Sequence, residues 1–234
     1  MKNQTLLLIT LSLASVFATA QTNQINFYGK AGVDLTSRFE TMKIQAENGS
    51  EFPAAAGTKK NTFSPSIFLE TTYNVLPQTE IGLGIGYIKR NGFHYSGTFE
   101  ERVGTLDKET YKINRYSSLP LYFILKQNYV LSPNTKFYFK SDLGYALNKT
   151  KSTWYTSYTD DRKTFEHPIH FKTKDGLYAG LGVGIEYKFL LAELGYYHTN
   201  SALTYQSNHR QQKPKDFHNS YNNDALRLSV GFKF

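Results

Sequence analysis

The end of the chain alternates strictly between apolar residues and other residue types. Five apolar residues are separated by four that are charged, polar or without a side chain: Leu226, Leu228, Val230, Phe232 and Phe234 against Arg227, Ser229, Gly231 and Lys233. Because successive side chains of a β-strand point to opposite faces, this spacing indicates a strand with one apolar face. The predicted strand runs to the last residue.

Seven more segments follow the same period of two, so the sequence predicts eight strands. The further segments are 25–35, 67–75, 81–88, 119–126, 137–147, 177–186 and 190–197. Strands of roughly ten residues are long enough to cross a bilayer when they are tilted. The composition favours strands as well, with 18 Tyr and 17 Phe. Proline cannot donate to a sheet ladder, so we interpret Pro65 and Pro120 as bulges or register errors near one rim.

Short and long connections alternate between the predicted strands. The short ones are 76–79, 131–135 and the region of 188–189, and the long ones are 40–62, 91–114, 149–174 and 200–222. Tight turns on one side and extended loops on the other are typical of an outer-membrane barrel. The sequence therefore predicts an all-β fold, an eight-stranded antiparallel up-and-down transmembrane β-barrel with four long external loops. An even strand count places both termini in the periplasm.

Residues 1–20 have the three-part layout of a secretory signal peptide. Lys2 gives a positive start, 6–18 is an apolar run, and Ala18-Thr19-Ala20 is a small-x-small cleavage site. The run is too short to span a membrane as a helix. We predict cleavage after Ala20, a barrel domain over 21–234, and an outer-membrane location.

Charges of both signs recur on one face of the strands, while the other face is almost uncharged. The predicted inward charges are Lys30, Asp34, Glu70, Arg90, Lys126, Lys140, Asp142, Glu186, Glu193 and Arg227. A soluble β-sandwich or a lipocalin-like barrel also alternates, but its apolar side faces inward. The signal peptide, the strand length and the alternating connections favour the membrane barrel.

The lumen of an eight-stranded barrel is only wide enough for side chains to fill. Bulky residues are predicted to point into it: Tyr28, Phe68, Tyr122, Ile124, Tyr138, Tyr178 and Tyr197. Five acids and five bases in so narrow a space are expected to pair, because an unpaired buried charge is costly. We therefore predict a structural plug. A gated ion path, or narrow pore, is the alternative, and a wide porin is disfavoured because it needs around 16 strands.

Two short segments resemble known outer-membrane proteins. The C-terminal strand 227–234, with Phe232 and Phe234, resembles the assembly signal of Gram-negative outer-membrane proteins, and 118–122 resembles the fourth strand of opacity-protein-like barrels. The resemblance implies the family of small opacity-like, OmpA- and OmpX-like barrels. It implies recognition by the barrel-assembly machinery and a structural or adhesive role, in which the barrel anchors variable surface loops.

The sequence predicts no cofactor, no metal site and no catalytic residues. The glycine-rich run 180–184 lies within a predicted strand and precedes no helix, so it does not read as a dinucleotide loop. His167 and His170 have no accompanying acidic cluster, and the chain contains no Cys. We therefore expect a protein that is not an enzyme.

One segment leaves an enzymatic alternative open. His198-Thr199-Asn200-Ser201 is similar to the His-x-Ser-Asn motif of barrel lipid A deacylases, with the last two residues transposed. Ser201 therefore has the opposite parity along the strand to the serine of that motif. The last strand also offers no Glu to orient His198. The competing interpretation is a rim histidine followed by a loop.

The net charge of +8 points to partners at the cell surface. Basic residues concentrate in 149–174 and at Arg210, Lys213 and Lys215, where they are suited to lipopolysaccharide phosphates or host polyanions. A solvated loop with no partner is the alternative. For an exported chain we expect no nucleic-acid partner.

Overall fold

The computed structural model describes the backbone of 25–39, 42–45, 51–54, 56–57, 63–91, 94–102, 105–158, 164–168, 172–207 and 215–234. Fourteen strands lie in these ranges: β1 (Ile25–Phe39), β2 (Met42–Gln45), β3 (Glu51–Ala54), β4 (Ala56–Gly57), β5 (Ser64–Leu76), β6 (Thr79–Asn91), β7 (His94–Arg102), β8 (Thr105–Ser132), β9 (Thr135–Tyr158), β10 (Thr164–Pro168), β11 (Lys172–Lys174), β12 (Gly176–Tyr187), β13 (Leu190–Ser207) and β14 (Lys215–Lys233). The predicted signal peptide, 1–20, lies outside the described residues. These described ranges contain no helix that is long and apolar enough to cross a membrane.

Eight of the strands close a barrel. The order around it is β1-β5-β6-β8-β9-β12-β13-β14, and β14 returns to pair with β1. Each of these neighbours is antiparallel. The predicted fold class, an all-β, eight-stranded, antiparallel up-and-down barrel, is confirmed.

The turns at one end of the barrel are short. Pro77–Gln78 joins β5 to β6, Pro133–Asn134 joins β8 to β9, and Lys188–Phe189 joins β12 to β13. They fall where the sequence predicts short connections. At the third turn Lys188 adopts a φ of 54°. This is the left-handed region, which residues other than glycine seldom adopt. We call this end of the barrel the turn end and the other the loop end.

Parts of the predicted long loops are strands. β7 pairs with the first part of β8, with His94 opposite Lys112, and β9 continues as a strand to Tyr158. The prediction that 91–114 is one loop is therefore wrong over β7 and 105–114. These segments contain many Thr and Tyr residues, which favour a paired strand over an open loop. The other predicted loops also contain strands: β2, β3 and β4 lie in 40–62, β10 and β11 lie in 149–174, and the end of β13 and the start of β14 lie in 200–222. The loop prediction is wrong over these strands as well.

The prolines do not produce bulges. Pro120 lies within β8 opposite Ala146 of β9, and the register there is continuous. On its other side, the β6–β8 pairing omits Gly86 and Tyr87 and resumes in the same register at Ile88. The missing donor of Pro120 therefore leaves a gap in one ladder without shifting it. Pro65 is the second residue of β5, where the strand begins.

The barrel is polar inside and apolar outside. Charged side chains such as Lys140 and Arg227 are 4% and 1% exposed, whereas Phe123 and Leu181 are 71% and 67% exposed. A soluble barrel has the opposite arrangement, so the lipocalin-like alternative is excluded. An outer belt of exposed apolar residues around a polar lumen is the arrangement of outer-membrane barrels.

Candidate functional site

The lumen is the candidate site, and charged side chains from all eight barrel strands enter it. The structure buries each of the ten predicted inward charges: Lys30, Asp34, Glu70, Arg90, Lys126, Lys140, Asp142, Glu186, Glu193 and Arg227. It also buries Glu80, which the sequence analysis did not assign. These eleven residues form three groups at successive depths.

The group nearest the turn end is centred on Lys126 of β8. Its Nζ forms an ion pair with Glu186 of β12 and lies 3.6 Å from Oε1 of Glu80 on β6. The same ammonium donates to the Tyr28 hydroxyl (2.9 Å), and that hydroxyl donates to Glu80 (2.9 Å). Lys126 thus contacts side chains of β12, β6 and β1, of which only β6 pairs with β8 in the sheet.

Glu80 is held by polar side chains as well as by charge. Its carboxylate accepts hydrogen bonds from Thr72 Oγ1 (2.5 Å) and Asn128 Nδ2 (2.7 Å) in addition to Tyr28. The sequence prediction ended the turn at Thr79 and began the third strand at Ile81, so it assigned Glu80 to neither. In the structure β6 begins at Thr79, which gives Glu80 the inward parity of Gly82 and Gly84. Extending the period of two by one residue would have identified it.

The middle group contains two lysines and three carboxylates. Lys30 Nζ lies 2.6 Å from Glu70 and 3.1 Å from Glu193. Lys140 Nζ lies 2.7 Å from Glu70, 3.1 Å from Asp142 and 3.6 Å from Glu193. The two ammonium groups therefore share Glu70 and Glu193 between them. All five side chains are at least 96% buried, so each charge depends on its partners for stabilisation.

Three tyrosines complete the middle group. The hydroxyl of Tyr122 donates to Glu70 (2.7 Å), and the hydroxyls of Tyr138 and Tyr197 donate to Glu193 (3.1 and 2.7 Å). Glu70 and Glu193 thus accept hydrogen bonds from both ammonium and hydroxyl groups. Such multiple bonding is what compensates a carboxylate for the loss of water.

The third group lies towards the loop end and is formed by Asp34 and two arginines. Arg227 Nε lies 2.6 Å from Asp34 Oδ1, and Arg90 Nε lies 3.7 Å from Asp34 Oδ2. Arg90 also donates to Ser118 (3.0 Å). The guanidinium of Arg227 packs over the ring of Tyr197, with 4.4 Å from its central carbon to the ring centroid.

Aromatic rings separate the middle and loop-end groups. Tyr178 lies between Tyr122 and Tyr197, at centroid distances of 5.3 and 5.8 Å. Phe68 contacts Tyr122 edge-on, with centroids 6.4 Å apart. All the predicted inward bulky residues are buried here or beside the turn-end group: Tyr28, Phe68, Tyr122, Ile124, Tyr138, Tyr178 and Tyr197.

Inward glycines give these rings their space. A Cβ at Gly84 would collide with the ring of Tyr122, and one at Gly180 would lie 2.5 Å from the Tyr197 ring. A larger residue at either position would displace the ring that crosses the lumen. Packing against the rings thus explains why glycine stands at 84 in β6 and at 180 in β12.

His198 points out of the barrel near the loop end. Its Nδ1 lies 2.7 Å from Oδ1 of Asp224, the residue opposite it on β14. The last strand contains no Glu, as the sequence shows, but Asp224 occupies the position from which an acid can orient His198. Ser201 is buried and its Oγ donates to the Lys174 carbonyl (2.5 Å), so it is directed away from the histidine.

The two C-terminal phenylalanines belong to the outer belt. Phe232 and Phe234 are 51% and 69% exposed, and the Phe232 ring stacks on Phe189 with centroids 6.3 Å apart. The backbone N–H of Phe234 donates to the Phe27 carbonyl (2.9 Å), which ties the last residue to β1. Their role as an assembly signal stays a prediction.

Within the part of the chain that the structure describes, no three His, Cys, Asp or Glu side chains are arranged to hold a metal ion. The side chains of His167 and His170 lie outside the described residues.

A comparison with curated proteins assigns the chain to a family. It is 42% identical to "Uncharacterized protein PM1543" of Pasteurella multocida (strain Pm70) over 245 aligned positions, which cover 100% of this chain and 99% of that protein. The chain belongs to the family of that protein. A scan against protein-family models finds no match.

Solved barrels are similar to this chain at low identity. The outer membrane protein AlkL in lipid bilayers is 13% identical with a TM-score of 0.48, covering 92% of this chain and 93% of that one. Ail of Yersinia pestis, in complex with a heparin analogue, is 13% identical with a TM-score of 0.35, covering 90% and 99%. Neisserial surface protein A is 12% identical with a TM-score of 0.35, covering 90% and 97%. Likeness at this level carries no argument about function, and the resemblance to opacity-like barrels stays a prediction.

Proposed function

We propose that this protein is an outer-membrane surface barrel whose lumen is plugged and whose loops mediate adhesion or another surface interaction. It reaches that membrane by an export signal that is removed after Ala20 and by the barrel-assembly machinery, which reads Phe232 and Phe234. Its chemistry is non-enzymatic, and it uses no cofactor.

The network of lumen charges is the observation that supports a plug. Lys140 alone lies within 4 Å of three carboxylates that come from three different strands, including Glu70 of β5 and Glu193 of β13. An ion entering at this depth would have to replace one of these partners, and removing one partner of a buried pair costs about 3–5 kcal/mol. The aromatic layer above it adds a second obstruction.

Single-channel recording tests the plug and its alternative, a narrow pore. The purified barrel is added to a planar bilayer in about 1 M KCl. It should give no stable open level. The double variant Lys30→Ala with Lys140→Ala, which removes both ammonium groups of the middle group, should give openings. A stable open level in the unaltered protein would establish the pore instead.

Whole-cell binding tests the adhesive role. Cells that display the protein should attach to surfaces coated with sulfated glycan more than cells without it. Replacing 208–214, which contains Arg210 and Lys213, by a Gly-Ser linker of equal length removes two loop bases. Attachment should then fall, while a replacement that restores both bases within the linker should recover it. Equal attachment by all these cells would refute the adhesive proposal.

A lipid-modifying enzyme is the second candidate, and the pair His198–Asp224 is the observation that favours it. A carboxylate bound to one ring nitrogen orients an imidazole to act as a base through the other. The pair faces outward near the rim, where it is accessible to a lipid. The burial of Ser201 counts against this candidate, since the nucleophile must lie within hydrogen-bond reach of its base.

Lipid mass spectrometry separates the two candidates. Lipid A is compared from cells expressing the unaltered protein, His198→Ala and Asp224→Asn. Identical masses are expected for a non-enzymatic barrel. A loss of acyl chains that disappears in both variants would assign the activity to this pair.

A further inference from the structure

A row of basic residues borders the apolar belt at the loop end. Lys89 of β6 lies opposite Ser117 of β8, and Ser117 lies opposite Lys149 of β9. All three have outward parity, because Ser118 and Arg90 beside them are buried in the lumen. We call Lys89, Ser117 and Lys149 the basic row. Across two strand spacings the two lysines lie roughly 10 Å apart along the sheet.

The apolar belt ends directly below this row. Tyr87 and Leu147, two residues earlier on the strands of Lys89 and Lys149, are 44% and 43% exposed. The side chains of both lysines are exposed as well. The change from apolar to basic therefore occurs within one pair of residues, at the depth where lipid tails give way to headgroups.

The strand register continues the positive character above the basic row. Arg115 lies opposite Lys151 on β9 and Asn91 on β6. Two consecutive rows of the same three strands therefore carry four basic residues. Asp175 also lies in this region, and one of its carboxylate oxygens already accepts the Asn148 backbone N–H (2.7 Å).

The other side of the barrel is different at its corresponding boundary. Above Tyr196 and Leu226 of the belt, the outward residues of β13 and β14 are His198 and Asp224. The contact between them, 2.7 Å from Nδ1 to Oδ1, brings a carboxylate to this rim. Arg38 of β1 lies opposite Asp224 on its other side, so this part of the rim contains charges of both signs. The two rows across β6, β8 and β9 contain basic residues and no acidic residue, which makes them the more favourable side for an anion.

We propose that the basic row binds the phosphorylated headgroup of a lipid in the leaflet at the loop end of the barrel, with the lipid tails against Tyr87 and Leu147. Lys89 and Lys149 contact the phosphates from either side, and Ser117 leaves the room between them. A lysine near an anionic membrane surface contributes substantially to such binding. The proposal rests on the outer-membrane placement proposed above and adds a side of the barrel, a set of residues and a lipid chemistry to it.

Native mass spectrometry of the detergent-solubilised barrel tests the site. The probes are diphosphorylated lipid A and the same lipid with its phosphates removed. The variant is Lys89→Gln with Lys149→Gln, and the matched control is Lys136→Gln with Lys188→Gln, which changes the net charge equally at the turn end. The heat-dependent gel shift of each protein reports whether its barrel is folded.

The unaltered protein should prefer the phosphorylated probe, and the basic-row variant should bind it roughly 10- to 30-fold more weakly. The control pair should bind like the unaltered protein. Free inorganic phosphate at matched ionic strength should not compete, because it lacks the tails that contact the belt.

Several results would overturn the proposal. Equal weakening by both pairs would show that only net charge matters, and equal binding of the phosphate-free probe would exclude phosphate recognition. Competition by inorganic phosphate would assign the row to a free anion, and competition by a sulfated polysaccharide without lipid selectivity would assign it to a soluble polyanion. In a barrel that shows the gel shift, these outcomes leave the outer-membrane placement intact. If the unaltered protein shows no shift, both proposals fail.

Discussion

Arg227 of the last strand and Asp34 of the first strand form an ion pair across the closure of the barrel, with 2.6 Å between Nε and Oδ1. The two residues are also directly opposite in the β1–β14 register. Both are at least 99% buried in their side chains. The seam that joins the two ends of the chain is thus held by a buried charge pair as well as by the ladder.

Removing one partner of this pair should destabilise the barrel strongly. Asp34→Asn removes the carboxylate that Arg227 and Arg90 share, and leaving the buried Arg227 charge without it costs about 3–5 kcal/mol. The variant should unfold at lower urea concentration in detergent micelles. The double variant Asp34→Asn with Arg227→Gln removes both charges and should recover part of the loss. Additive losses in the double variant would show that the pair contributes no coupling.

Two glycines of the lumen should differ in how well they tolerate an added methyl group. A Cβ at Gly84 would collide with the Tyr122 ring, whereas one at Gly182 would lie 3.5 Å from its nearest neighbour, Glu193 Cγ. Gly84→Ala should therefore cost about 1–3 kcal/mol through displacement of the ring. Gly182→Ala should be close to neutral. Urea unfolding of the two variants compares them directly, and equal losses would contradict the packing explanation.

The sequence alone predicts the barrel and most of its lumen, because a period of two determines whether each side chain points into the lumen or out of the barrel. Once a strand is located, the parity of Lys126 or Glu193 follows without any knowledge of the neighbouring strands. Predictions fail where they depend on the ends of a strand. Glu80 is one residue before the segment assigned to its strand, and the continuation of β8 and β9 beyond the belt lies in segments assigned to loops.

The contacts between side chains of different strands could not be predicted from the sequence. His198 and Asp224 are 26 residues apart, and only the register of β13 against β14 brings them together. The three depths of the charge network likewise depend on the relative shift of all eight strands. A period of two contains no information on that shift, so the sequence predicts which charges enter the lumen but not how they pair.

Glu80 should be as important to stability as the charges that the sequence identifies. Glu80→Ala leaves three donors, on Tyr28, Thr72 and Asn128, without their acceptor, and each unmade buried hydrogen bond costs about 1–3 kcal/mol. The matched control is Gln78→Ala in the neighbouring turn, which is exposed and should have little effect. Thermal unfolding monitored by the gel shift measures both. A Glu80→Ala barrel as stable as the control would contradict the assigned role.

Lysine substitutions along β12 should report the depth of the bilayer. Leu181 is 67% exposed in the middle of the outer belt, and Tyr187 is 51% exposed at the turn end of the same strand. In a membrane, Leu181→Lys should cost about 2–4 kcal/mol, because a charge at the midplane loses its water, and Tyr187→Lys should cost about 0–1 kcal/mol near the interface. Reversible unfolding from phosphatidylcholine vesicles measures the difference. In a barrel surrounded by water the two lysines would be equally tolerated, so equal stability of the two variants in vesicles would contradict a membrane-spanning belt.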